Sequence, residues 1–150
     1  MNIFDSLERS RTYLPTKNAI LFSGAGITYQ QLYERVCRLS FVLQTRCNTQ
    51  LGDRVALLLP NIPEFVVSYY AVVRLGAIAV SLNVMFKHDE LKFILNDSEA
   101  KLLITTSNSR ASSRGKRSTF PENHSLCWRI GPRRSPRAGR LTIIDFSDRP

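Results

Sequence analysis

Gly52-Asp53-Arg54-Val55-Ala56-Leu57-Leu58-Leu59-Pro60 opens a stretch that continues through Leu75-Gly76-Ala77-Ile78-Ala79-Val80-Ser81 to Lys101-Leu102-Leu103-Ile104-Thr105. Two amphipathic patterns at helical spacing separate the three apolar runs. Each run is too short for a free-standing helix and lacks polar alternation, the pattern of a strand buried on both faces of a parallel sheet. The order is βαβαβ, and the fold class that follows is α/β, a parallel-sheet scaffold.

The punctuation inside this stretch agrees. Pro60 cannot donate to a ladder and stops the first strand, residues 55–59. Asn61 is placed to cap the next helix, Pro63 is tolerated in a first turn, and Glu64 sits where a carboxylate reaches back. Ile62, Phe65, Val66, Tyr69, Val72, Val73 and Gly76 are expected to line one face of that helix, which would cover the sheet. Gly76 comes where a helix commonly exits through a left-handed residue, and the chain passes directly into a second strand over residues 77–82. A right-handed crossover beside the first strand is the expected connection. After the loop Asn83-Val84-Met85-Phe86-Lys87, His88-Asp89-Glu90 puts acidic groups in the first turn of a helix, at the positive end of its dipole. Leu91, Ile94 and Leu95 give that helix its apolar side, and residues 102–105 form the third strand.

Upstream, Phe4, Leu7, Leu14 and Pro15 suggest a short helix or turn and then an extended approach. Ala19-Ile20-Leu21-Phe22 and Ile27-Thr28-Tyr29 flank Ser23-Gly24-Ala25-Gly26 and read as a small hairpin. A dinucleotide fingerprint would need a third glycine where Tyr29 stands. Thr28-Tyr29-Gln30-Gln31 fits a capping box, so a helix begins there, with Leu32, Val36, Leu39 and Leu43 as its apolar stripe.

Downstream, the pattern ends. Residues 107–150 are rich in Ser, Arg, Pro and Gly, and only Leu141-Thr142-Ile143-Ile144-Asp145-Phe146 reads as one short strand. Most of the net charge of +9 belongs to this segment: residues 1–106 carry 11 Lys and Arg against 9 Asp and Glu, a net of +2, and residues 107–150 carry 10 against 3, a net of +7. So polar a segment cannot bury enough apolar area to offset backbone ordering, about 1–2 kcal/mol per residue, and is expected to be mostly disordered. Two units are thus expected, 1–106 and a basic tail 107–150. Nine arginines with Trp128 and Phe120 offer a nucleic-acid arm. The tail lacks RNA-recognition and zinc-finger signatures, and the preferred reading is an unselected segment, for example one produced by a frame shift just after Thr106.

Residue chemistry narrows the function little. Cys37, Cys47 and Cys127 form no C-x-x-C pair, and no His stands at metal-ligand spacing from them. A reduced, cytoplasmic protein is the simplest expectation, with peripheral membrane contact left open, since no apolar run reaches the roughly 20 residues of a membrane span. Asp89 and Glu90 are adjacent on a helix and point apart, which favours a helix-start role over acid/base chemistry, and His88 has no partner in the sequence.

Ile27-Thr28-Tyr29-Gln30-Gln31-Leu32, residues 52–61, Phe65, Tyr69-Tyr70-Ala71-Val72-Val73-Arg74-Leu75-Gly76-Ala77 and Glu90-Leu91 together closely resemble the amino-terminal part of the adenylate-forming, AMP-binding enzymes, over about residues 3–106. Within that family the chain looks more like a fatty-acid or related carboxylate CoA ligase than a peptide-synthetase domain. The resemblance implies a two-step reaction. ATP and a carboxylic or fatty acid give an acyl-adenylate and pyrophosphate, and the thiol of coenzyme A then displaces AMP, with Mg2+ neutralising phosphate charge. The family's phosphate loop and catalytic Lys lie beyond the matched region. Arg114-Gly115-Lys116 and Gly131-Pro132-Arg133 lack the neighbours of a phosphate loop, so no catalytic, cofactor-binding or metal role passes to a numbered residue. The nearest candidates for peripheral substrate or CoA contact are Asn83-Val84-Met85-Phe86-Lys87, at a strand end. The expectation is a truncated acyl-CoA synthetase, inactive as an isolated chain. The alternative is a non-catalytic protein that binds nucleic acid or another polyanion through its tail.

Overall fold

The computed structural model describes residues 2–106, 127–129 and 142–145. The chain divides into two units, Met1–Asp53 with Asn61–Ala79, and Arg54–Pro60 with Val80–Pro150.

The first unit begins with helix α1, Ile3–Tyr13. Asn2 caps it: the Phe4 N–H donates to Asn2 Oδ1 at 3.2 Å, and the Asn2 N–H donates to the Asp5 carboxylate at 2.8 Å. Strands β1, Asn18–Phe22, and β2, Ala25–Thr28, pair antiparallel with Phe22 opposite Ala25. The turn is therefore only Ser23-Gly24, both left-handed at φ 49° and 80°, the geometry of a two-residue turn matched to strand twist. Helix α2, Tyr29–Thr45, starts as its capping box requires, with the Gln31 N–H donating to Thr28 Oγ1 at 3.2 Å and the Thr28 N–H to Gln31 Oε1 at 3.0 Å. Leu32, Val36, Leu39 and Leu43 are all buried, as their spacing predicts, and Ser40 joins them by donating to the Val36 carbonyl at 2.5 Å.

Helix α3, Pro63–Arg74, departs from expectation twice. Its N-cap is Ile62, without a side-chain hydrogen bond, so Asn61 is not the cap; Pro63 occupies the first turn, where its missing N–H costs nothing. The buried residues are Pro63, Val67, Ser68, Ala71 and Val72 rather than the predicted stripe, of which only Val72 is fully buried. The physical reason is size. α3 packs on α2, and small side chains let two helices approach, so the bulky Phe65 and Tyr69 move to the flank, where their rings stack at 6.4 Å. The helix ends as predicted through Gly76, at φ 68°.

Side-chain contacts that the sequence does not announce tie α1 to α2 and α3. Asn2 Nδ2 donates to the Val73 carbonyl at 2.8 Å. The Phe4 and Tyr33 rings stack at 5.7 Å, with the Arg74 guanidinium 5.4 Å from the Phe4 ring and that of Arg11 4.5 Å from the Tyr33 ring. Burial, more than the neighbouring Cys37 and Glu8, pushes the Tyr33 hydroxyl above its ordinary pKa.

The second unit holds the parallel sheet. Strand β3, Arg54–Leu58, pairs in parallel with β5, Leu102–Thr105, setting Val55 opposite Leu102 and Leu58 opposite Thr105. Strand β4, Ile78–Ser81, lies on the other side of β3, and the Leu82 N–H donates to the Leu57 carbonyl at 2.9 Å. Helix α4, His88–Asp97, lays Leu91, Ile94 and Leu95 against Ala56, Leu58, Leu82, Ala100 and Leu103.

The expectation that all three runs are buried on both faces holds for β3 and β5 and fails for β4. β4 is an edge strand among the described residues, and its Ile78 is 50% exposed. Beyond β5 come two further strands, β6, Cys127–Arg129, and β7, Thr142–Asp145. β7 is the short strand foreseen in the tail and runs parallel to β5; β6 was not foreseen and pairs antiparallel with β7. The expectation of disorder for the rest of 107–150 lies outside the described residues.

Candidate functional site at the strand carboxyl ends

In an open α/β sheet, ligands bind outside the carboxyl ends of the strands, where the strand order reverses. Here the chain goes from β3 outward to β4, then returns across β3 to β5. The reversal therefore lies between β3 and β5. At its carboxyl edge stand Leu58, Leu59 and Pro60 from one strand and Thr105 and Thr106 from the other. Thr105 is buried and sits in register with Leu58, and its hydroxyl donates to the Thr106 carbonyl at 3.3 Å. On the far side, the backbone register sets Asp145 opposite Thr105.

The loop chosen from the sequence sits at the carboxyl end of β4, the edge strand, away from the reversal. Asn83 and the N–H groups of Met85, Phe86 and Lys87 are committed to local turns. The Met85 N–H donates to Asn83 Oδ1 at 2.9 Å and the Phe86 N–H to the Asn83 carbonyl at 3.1 Å. The Lys87 N–H donates to Glu90 Oε2 at 2.7 Å, which gives Glu90 the helix-start role predicted for it. His88 Nδ1 lies 3.4 Å from Asp89 Oδ1, both side chains well exposed, a surface pair. Neither Cys37 nor Cys47, both half-buried, is in a disulfide, and Cys47 lies just past the end of α2.

This edge can position a ligand by shape, backbone groups and two threonines. It presents no charged side chain from residues 58–60 or 105–106. Among the described residues no group of three His, Cys, Asp or Glu side chains could hold a metal ion. With no carboxylate among residues 58–60 and 105–106, the donor set of those residues does not fit an ATP-bound Mg2+. No helix among the described residues is long and apolar enough to cross a membrane.

Comparison with known proteins accounts for this geometry. A family model described as AMP-binding enzyme matches residues 7–138, past β5 and into the basic segment. The long-chain-fatty-acid–CoA ligase of Bacillus subtilis is 39% identical over 100 residues, covering 66% of this chain and 18% of that protein. The acetyl-coenzyme A synthetase of Desulfatibacillum aliphaticivorans is 40% identical over 108 residues, 68% of this chain and 17% of that protein. Among solved structures, a Mycobacterium tuberculosis fatty acyl CoA synthetase superposes with a TM-score of 0.69 at 36% identity, covering 73% of this chain and 22% of its own. The chain thus spans about a fifth of the length of these relatives. It belongs to the family of AMP-binding enzymes.

Proposed function

We propose that this chain is the amino-terminal scaffold of an acyl-CoA synthetase, whose whole uses ATP, Mg2+ and coenzyme A to activate a carboxylic or fatty acid through an acyl-adenylate, and that it has no adenylation activity by itself. The reading rests on one observation. Among the described residues, the carboxyl edge at the β3/β5 reversal, residues 58–60 with 105–106, carries no cation for a triphosphate. Adenylation develops charge on the α-phosphate and on pyrophosphate, and that charge requires preorganised donors or cations. The sheet supplies a rigid wall on which such groups can be mounted.

Its relatives include ligases named for long-chain fatty acids and for acetate, so the proposal extends to the acyl-CoA class and names no chain length. A cytoplasmic location with peripheral membrane contact belongs to the same proposal, and cell fractionation tests it. The activity test is carboxylate-dependent exchange of labelled pyrophosphate into ATP by the purified chain, with acetate and a long-chain fatty acid as substrates. Exchange no greater than with heat-denatured chain is expected; exchange that depends on either acid refutes the claim of inactivity.

A further inference from the structure

Residues 9–33 contain three cations, Arg9, Arg11 and Lys17, and no Asp or Glu, and residues 18–28, which form the β1–β2 ribbon, carry no charge at all. The ribbon is a two-stranded sheet with no third strand among the described residues. Its register sets Ile20 opposite Ile27, Leu21 opposite Gly26 and Phe22 opposite Ala25. By strand alternation Ile20 and Phe22 share one face and Leu21 takes the other. Ile27 is buried, so the first face is packed at its base. At the tip, however, Phe22 is exposed on that face and Leu21, 76% exposed, on the opposite one. The base of the ribbon is tied to the turn that follows α1: the Lys17 N–H donates to the Leu14 carbonyl at 3.2 Å, and the Tyr29 N–H donates to the Lys17 carbonyl at 3.0 Å. That turn brings the exposed Tyr13, Leu14 and Lys17 beside the ribbon.

We infer that the tip of the β1–β2 ribbon inserts into an anionic lipid surface, with Lys17 among the headgroups. Two observations select this occupant. The first is geometric: apolar side chains stand on both faces of the tip, and a flat protein partner would cover one face of a ribbon, whereas a fluid interface surrounds both. The second is charge. The cations of residues 9–33 meet no acid from the same stretch, which suits the phosphates of a lipid surface. A nucleic acid also supplies phosphates, but no apolar medium for Leu21 and Phe22. Insertion is shallow, because the outward N–H and C=O groups of a two-stranded ribbon must stay at the hydrated depth of the headgroups. This inference rests on the peripheral membrane contact proposed above and assigns that contact to named residues.

The test must separate the ribbon from the basic segment 107–150, which can also hold an anionic vesicle. In the full chain, Trp128→Phe removes the single tryptophan and Phe22→Trp places one at the tip, so all tryptophan emission reports on the ribbon. Vesicles of phosphatidylcholine mixed with phosphatidylserine are expected to shift that emission to the blue, and lipids brominated near the headgroup should quench it more than lipids brominated at the chain end. Leu21→Ser should weaken vesicle binding about tenfold, the loss of one apolar anchor. Lys17→Gln should weaken it about fivefold on the mixed vesicles and leave binding to pure phosphatidylcholine unchanged. Circular dichroism confirms that each variant is folded. Co-sedimentation with vesicles while the tip tryptophan stays unshifted would overturn the inference and leave peripheral contact standing; no co-sedimentation at all would overturn both. Binding indifferent to Leu21→Ser, or an equal blue shift on adding RNA in place of vesicles, would also overturn it.

Discussion

Replacing Gly76 with Ala tests how the chain leaves α3. The Gly76 N–H donates to the Val73 carbonyl at 2.9 Å and the Ala77 N–H to the Val72 carbonyl at 3.2 Å, the paired bonds of a Schellman ending, which needs a left-handed residue at Gly76, here at φ 68°. An alanine there pays about 1–2 kcal/mol for its conformation, less about 0.4–1 kcal/mol from its stiffer unfolded chain. Its Cβ would also meet Leu51 Cδ1, but Leu51 is 84% exposed and can turn its methyl into solvent. Conformation therefore outweighs the clash, and a net loss of about 1 kcal/mol is expected. α4 ends in the same motif with a different residue: the Glu99 N–H donates to the Asn96 carbonyl at 3.1 Å, the Ala100 N–H to the Leu95 carbonyl at 3.2 Å, and Glu99 is left-handed at φ 49°. Glu99→Gly relieves a cost of about 1–2 kcal/mol, adds unfolded-state entropy worth about 0.4–1, and gives up an exposed ion pair with Arg54 worth about 0.2–1. It should fall within about 1 kcal/mol of wild type. Urea unfolding followed by far-ultraviolet circular dichroism measures both. A neutral Gly76→Ala would refute the reasoning, as would a Gly76→Ala loss that disappears in a Leu51→Ala background, since the clash would then be the cause.

Thr28→Ala should cost about 1 kcal/mol by opening the capping box of α2, whereas Asn61→Ala should change stability by under about 0.5 kcal/mol because Ile62 is the cap of α3; the same unfolding assay separates them. Ser68→Ala should stabilise by about 1 kcal/mol, because the Ser68 hydroxyl is fully buried and finds no hydrogen-bond partner among the described residues; a loss in thermal or urea unfolding would show that an unseen partner serves it. The Tyr33 hydroxyl has its pKa raised in the folded state, so the folded chain holds that proton more tightly than the unfolded one. Its contribution is present below the ordinary phenol pKa of about 10 and is lost as pH rises through the folded value. Tyr33→Phe should flatten the alkaline limb of the urea midpoint measured against pH, and an unchanged limb would exclude the effect.

The local elements were legible because their signals are local. The Thr28/Gln31 box, the Leu32-Val36-Leu39-Leu43 stripe and the Gly76 exit each depend on residues within a turn or two, and each stands where its spacing puts it. The buried face of α3 was not legible, since a hydrophobicity pattern weighs Phe65 and Tyr69 above Ser68 and Ala71. Close approach to α2 reverses that ranking, because the small side chains fit and the large ones do not. The contacts of α1 were hidden for a related reason. Arg11 over Tyr33 and Arg74 over Phe4 join residues far apart in sequence, and an arginine does not announce the ring it will cover.

The sequence and the structure point to different candidate positions because a βαβαβ pattern leaves strand order open. A right-handed crossover from β4 can set β5 beyond β4 or on the far side of β3, and both satisfy the same hydrophobic pattern. With β5 beyond β4, the chain would have moved in one direction throughout, and the loop after β4 would have been a reasonable place for a ligand. The observed order, β4-β3-β5, puts the reversal of strand order at Leu59-Pro60 and Thr105-Thr106. One signal could have decided between them. Val55, Ala56, Leu57, Leu58 and Leu59 form five consecutive apolar positions, whereas the second run inserts Gly76, Ala77 and Ala79 and ends at Ser81. A strand flanked on both sides, with both faces covered, has no solvent-facing position to spare for a polar residue such as Ser81. The uninterrupted run therefore marks β3 as the central strand, and a central β3 requires the reversal that defines the site.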